Sequence, residues 1–101
     1  ITILSINFNF LYSKTIKVLS KEEKIELSNA TVKLIQNNYE KTLKTNEKGE
    51  FEIIEKSFKL PVKCIVSSVG YYRFNDTIFS HTNEIYLNKK TIITEEVVTT
   101  G

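Results

Sequence analysis

From Lys14 onward, apolar and polar positions alternate with a period of two, the mark of strands that keep one face in a core and one in water. Ile16 and Val18 flank Lys17. Ala30, Val32 and Leu34 alternate with Thr31 and Lys33. Tyr39 to Thr45 follows Asn37-Asn38, a pair suited to a tight turn because asparagine tolerates left-handed backbone. Phe51 and Ile53 alternate with Glu50 and Glu52. Val62, Cys64 and Val66 alternate with Lys63 and, less regularly, with Ile65. Phe74 to Phe79 and Glu84 to Leu87 complete the set. No segment from Lys14 onward carries the longer period of an extended helix.

The breaks between these runs are turn signals. Lys21 to Lys24 is charged. Asn46-Glu47-Lys48-Gly49 reverses the chain, with the glycine where a positive φ costs least. Pro61 has no amide hydrogen to give a ladder, so it must stand at a strand start or on an edge. Gly70 closes the fifth run, and two tyrosines follow. Seven short strands at intervals of about ten residues predict an all-β, seven-stranded antiparallel sandwich. Ala30, Val32, Leu34, Phe51, Ile53 and Val66 are expected to point inward.

With 101 residues, the chain holds one domain at most, and folding would bury roughly two-thirds of its unfolded surface. A composition of 41% hydrophobic and 26% charged residues is that of a globular protein, not a disordered one. The net charge of +2 implies no strong electrostatic partner, and all but one of the 14 basic residues are lysine, Arg73 being the exception. Without a basic patch interleaved with aromatics, nucleic acid is not an expected partner.

The opening ITILSINFNFLYS is uncharged and largely apolar. It is shorter than the roughly 20 residues of a membrane-spanning helix, so no span is expected here. Two readings fit it. The favoured one is a signal-peptide remnant over residues 1–13, with Lys14 just beyond. The other is a first strand, because Ile6, Phe8 and Phe10 alternate with Asn7 and Asn9.

Residues able to do covalent chemistry are few. Cys64 is the only cysteine and lies in an apolar run, where a thiol is usually a small buried hydrophobe. His81 is the only histidine and falls in the turn-like SHTN. A Cys64–His81 nucleophile–base pair lacks an orienting third group and an oxyanion site. No ligand set has metal spacing, and Glu47 and Glu50 around Gly49 do not form a calcium loop. The chain reads as non-catalytic, with no metal and no cofactor. Asn29-Ala30-Thr31 and Asn75-Asp76-Thr77 match the N-glycosylation sequon. Asp76-Thr77-Ile78 matches a periplasmic O-glycosylation motif with Thr77 as acceptor; chance is the favoured explanation.

The chain ends in EEVVTTG, residues 95–101. Two acids precede a short β-branched run that can pair with the edge of a partner's sheet. Before it stand SNATVKL (Ser28–Leu34), TNEKGEFEI (Thr45–Ile53), VSSVGYY (Val66–Tyr72) and EIYL (Glu84–Leu87). In this order and spacing they resemble the carboxypeptidase-regulatory-like, transthyretin-like domain. With the acidic-valine tail, the chain from about Thr15 is similar to the N-terminal module of Bacteroidetes TonB-dependent, SusC-like outer-membrane receptors. It departs from that pattern in three places. Thr15 and Asn29 stand where the family has glycine, and the valine run is shortened to Val97-Val98 before Thr99.

The resemblance implies a Greek-key sandwich of prealbumin type over residues 14–88. Residues 89–101 become a linker with a TonB-box-like strand leading to a plug domain. It further implies a non-catalytic periplasmic module at the outer membrane. That module presents Glu95, Glu96, Val97, Val98 and Thr99 to the TonB-type energy-coupling protein, and it would serve the plug and barrel of the same receptor. Gly49, Phe51, Gly70 and Tyr71 are then structural motif residues. The same module as an accessory folding or interaction domain of another envelope protein, or of a metallocarboxypeptidase, is the alternative. A third reading is a carbohydrate-binding sandwich with Tyr39, Tyr71, Tyr72 and Phe74 as a stacking platform.

Overall fold

The structure is a computed structural model of the chain, and it describes residues 13–54 and 57–90. Residues 1–12, the bulk of the expected signal remnant, therefore lie outside the described residues. Ser13, the last residue of that expected segment, begins the first strand and pairs with Ile54.

Seven strands follow in order: β1 (Ser13–Ser20), β2 (Thr31–Gln36), β3 (Tyr39–Lys44), β4 (Glu50–Ile54), β5 (Val62–Ser67), β6 (Phe74–Ile78) and β7 (Glu84–Leu87). They form two sheets, one of order β4-β1-β7 and one of order β3-β2-β5-β6. The chain changes sheet between β1 and β2, β3 and β4, β4 and β5, and β6 and β7. The two remaining connections stay within the four-stranded sheet, and Asn37 turns the β2–β3 hairpin at φ +57°.

Alternation translates directly into burial. Ile16 and Val18 of β1, Phe51 and Ile53 of β4, and Ile85 and Leu87 of β7 are buried from the three-stranded sheet. Val32 and Leu34 of β2, Val62, Cys64 and Val66 of β5, and Ile78 of β6 are buried from the other. All belong to one hydrophobic cluster, so the two sheets share a single core in a sandwich-like arrangement. The β2–β5 ladder sets Val32 opposite Val66 and Leu34 opposite Cys64. A one-residue slip would turn every one of these side chains to water. The six positions expected to point inward are all buried.

One expectation needs correction. Four strand pairings are antiparallel, but β1 and β7 run parallel, with Lys17 opposite Glu84 and Ser20 opposite Leu87. Parallel neighbours need a long crossover between them. Here the other five described strands supply it, because β1 and β7 are the first and last of the described strands. Local alternation carries no information about a pairing between strands so far apart in sequence.

Part of the core comes from outside the strands. Phe58, in the β4–β5 connection, is fully buried, and its ring centroid lies 5.1 Å from that of Tyr39. Gln36 holds this connection: its Oε1 accepts from the Lys59 amide at 2.9 Å, and its Nε2 donates to the carbonyls of Lys59 and Pro61. Pro61 sits immediately before β5, where its missing amide hydrogen costs the ladder nothing. Burial of this size predicts that Phe58→Ala will lower the unfolding free energy by about 3–5 kcal/mol. The reading is a shifted urea midpoint at constant slope. A midpoint equal to that of the parent would contradict the placement of Phe58 in the core.

Candidate functional site

Two constructions in the fold use the motif residues: a junction between the sheets and a clamp where the chain leaves them. The junction begins at Thr45, a polar residue only 5% exposed. Its hydroxyl donates to the Leu27 carbonyl at 2.7 Å and accepts from the Ala30 amide at 2.8 Å. Its own amide donates to the Ala30 carbonyl, and its carbonyl accepts from the Asn29 amide, both at 3.0 Å. Asn29 reaches that position at φ +59°, a conformation asparagine adopts more readily than most residues.

Asn46 then shapes the turn. Its Oδ1 accepts from the amides of Lys48 at 2.8 Å and Glu50 at 2.9 Å, an arrangement that asparagine side chains favour. The Asn46 carboxamide oxygen is thus spent on the turn's own backbone. Gly49 closes it at φ +74°, where a Cβ would stand 2.9 Å from the Val18 carbonyl oxygen and 3.0 Å from the Leu27 nitrogen. Only glycine fits both the dihedral and the space. The Gly49 carbonyl accepts from the Val18 amide at 2.7 Å, and Phe51, two residues on, enters the core.

The clamp sits where the chain leaves β7. Tyr71 and Lys89 form an antiparallel bridge. The Tyr72 amide donates to the Asn88 carbonyl at 2.8 Å, and the Lys90 amide donates to the Gly70 carbonyl at 2.9 Å. Gly70, at φ +88° with open space around its Cβ position, is required here for conformation alone. Tyr71 packs its ring against the core. From the other side, Glu22 accepts from the Lys89 amide at 2.9 Å, and Glu23 pairs with the Lys89 ammonium. Lys90 lies over the Tyr72 ring, 5.9 Å from its centroid, within cation–π range. Lys89 and Lys90, placed in the linker by sequence, are bonded into the domain.

These contacts move the charges involved. The Lys89 backbone hydrogen bond holds the Glu22 carboxyl below its usual range, and the Glu23 carboxylate raises the Lys89 ammonium above its own. A depressed carboxyl stabilises only while ionised, so Glu22 contributes above the ordinary carboxylate range and loses its effect as pH falls through the depressed value. The raised ammonium contributes below the ordinary lysine range and is lost as pH climbs through the raised value.

Among the described residues, the other candidates are not assembled into a site. Glu95, Glu96, Val97, Val98 and Thr99 lie outside the described residues. Cys64 is fully buried on β5, and burial pushes its thiol up to about 12, so it is not a ready nucleophile. His81 is exposed and stacks on Phe79 with centroids 5.5 Å apart. A core thiol and a surface imidazole do not form the nucleophile–base pair considered from sequence. Among the described residues, no three His, Cys, Asp or Glu side chains gather as a metal site. Thr77 stands half-buried on β6, an edge strand, with its amide donating to Asp76 Oδ1 at 2.8 Å.

The four-residue aromatic platform is also not formed. Tyr39 is on β3 and Phe74 on β6, opposite edges of the four-stranded sheet, while Tyr71 and Phe74 pack against the core. Of the later three only Tyr72 is exposed, and it and Phe74 line one groove with Tyr86 of β7.

No family model matches this chain, and no curated protein matches it.

The clamp predicts a pH response. The Lys89 amide resonance should titrate with a midpoint below the ordinary carboxylate value, and Glu22→Gln should abolish that titration. A midpoint at or above the ordinary value would show that Glu22 does not hold the exit segment.

Proposed function

We propose that this chain is a carboxypeptidase-regulatory-like, prealbumin-type Greek-key sandwich serving as the N-terminal periplasmic module of a TonB-dependent outer-membrane receptor. In this reading the module does no chemistry. It carries the acidic-valine strand, Glu95 to Thr99, to the TonB-type energy-coupling protein on the periplasmic side of the outer membrane, ahead of the receptor's plug and barrel. The observation that carries the reading is the clamp at Asn88–Lys90. It gives the tail a fixed point of departure from a stable body, which a module that presents a strand requires.

The motif residues support the same reading through their roles. Thr45, Gly49 and Phe51 build the junction between sheets, and Gly70 and Tyr71 build the clamp. Residues of the resemblance therefore have a use in the fold beyond filling strands. In the tail, Glu95 and Glu96 favour a basic partner, and Val97, Val98 and Thr99 are good strand formers. A strand added to a partner's sheet binds through its backbone ladder. Ordering costs of about 1–2 kcal/mol per residue keep affinity modest for so short a segment.

The test is titration of the full chain with the periplasmic domain of the coupling protein from the same organism. Binding is expected, and Val98→Pro should weaken it sharply by removing one ladder donor while leaving the urea midpoint of the domain unchanged. If Val98→Pro binds as tightly as the parent, the tail is a linker and the accessory-domain alternative takes its place.

A further inference from the structure

The first and last strands among the described residues, β1 and β7, are neighbours and run in the same direction. Tension between the two ends of the chain pulls β1 back toward its start and β7 forward toward its end. In a parallel pair these forces are opposed along the strand axis. We propose that the domain is a load-bearing element, with the β1–β7 ladder acting as a shear clamp against tension applied along the chain.

The pairing has the form such a clamp needs. Four residue pairs stand in register, from Lys17–Glu84 to Ser20–Leu87. At the two ends of the ladder, the Lys17 amide donates to the Asn83 carbonyl at 3.1 Å and the Lys21 amide to the Leu87 carbonyl at 2.9 Å. Under shear these bonds carry the load together and must fail together. Under peeling they would break one at a time, each resisting only weakly on its own.

β1 itself cannot slide easily. It is the central strand of its sheet, with β4 on its other side and the Leu27 amide bonded to the Val18 carbonyl at 2.9 Å. Ile85 and Leu87 on β7 belong to the same buried core as Ile16 and Val18, so sliding would also drag apolar side chains out of their packing. The exit clamp at Asn88–Lys90 lies in series with the ladder and takes the load first. The property belongs to the topology and does not depend on the receptor reading.

Single-molecule force spectroscopy tests the proposal without any partner. The full chain is pulled through handles at its two ends. It is then pulled from its N-terminal handle against a handle at His81→Cys, an exposed turn position just before β7. Moving the second handle from one end of β7 to the other converts shear into peeling at the same strand pair. Forced unfolding follows the unfolding rate, so at equal loading rate the end-to-end geometry should need a clearly higher force than the peeling geometry. A second variant, Leu19→Pro, interrupts the ladder and should reduce the end-to-end force by a larger factor than the peeling force. Because the two geometries are compared on a protein that keeps every ladder residue, a folding failure of the proline variant leaves the test intact. Equal forces in the two geometries, or a lower force end to end, would overturn the proposal.

Discussion

A closed circuit of hydrogen bonds around Thr45 and Gly49 joins the two sheets. The Thr45 hydroxyl donates to the Leu27 carbonyl, the Leu27 amide donates to the Val18 carbonyl, and the Val18 amide donates to the Gly49 carbonyl. The turn through Asn46 closes the ring. It ties the β1–β2 connection, the β3–β4 connection and the central strand of the smaller sheet to one another. The hydroxyl is buried and bonded in both directions, as buried polar groups generally must be. The register of β4 on β1, and hence the inward aim of Phe51 and Ile53, follows from where this ring places Gly49.

The junction and the exit clamp divide the work of the fold. The junction fixes the body, and the clamp fixes the point at which the chain leaves it. Both rest on glycines at positive φ, but for different reasons. At Gly49 the neighbouring backbone leaves no room for a side chain, whereas at Gly70 the surroundings are open and only the dihedral matters. The surface ion pairs Lys17–Glu26 and Lys33–Glu40 are exposed enough to add little to stability. Glu22 differs from them because its partner is a backbone amide of the exit segment, so its charge bears on geometry at one defined place.

Much of the body was legible because the core is written in alternation. Val32, Leu34, Val66 and their partners announce themselves at a spacing of two, and all seven strands could be placed. Features that depend on distant pairing were not legible. The parallel β1–β7 ladder has no local signal. Phe58 stands alone in an irregular segment, so no period marks it as core. Glu22 and Glu23 read as a charged turn, and nothing near them in sequence points to Lys89. Thr45 was visible as part of a turn motif, but its buried hydroxyl depends on the loop at 27–30 folding back across it. The Tyr39–Phe74 platform failed because aromatics at strand positions were separated by the sheet order.

The circuit around Thr45 is tested most directly by paired substitution there. Thr45→Val keeps the side-chain shape and removes the hydroxyl, leaving the Ala30 amide and Leu27 carbonyl buried without that partner. Such orphaned groups cost about 1–3 kcal/mol, so the urea midpoint should fall by a corresponding amount. Thr45→Ser, which keeps the hydroxyl and loses only a methyl group, should fall less. If Thr45→Val is as stable as the parent, or if Thr45→Ser is the more damaged of the two, the hydroxyl does not hold the sheets together and the account is wrong at its centre.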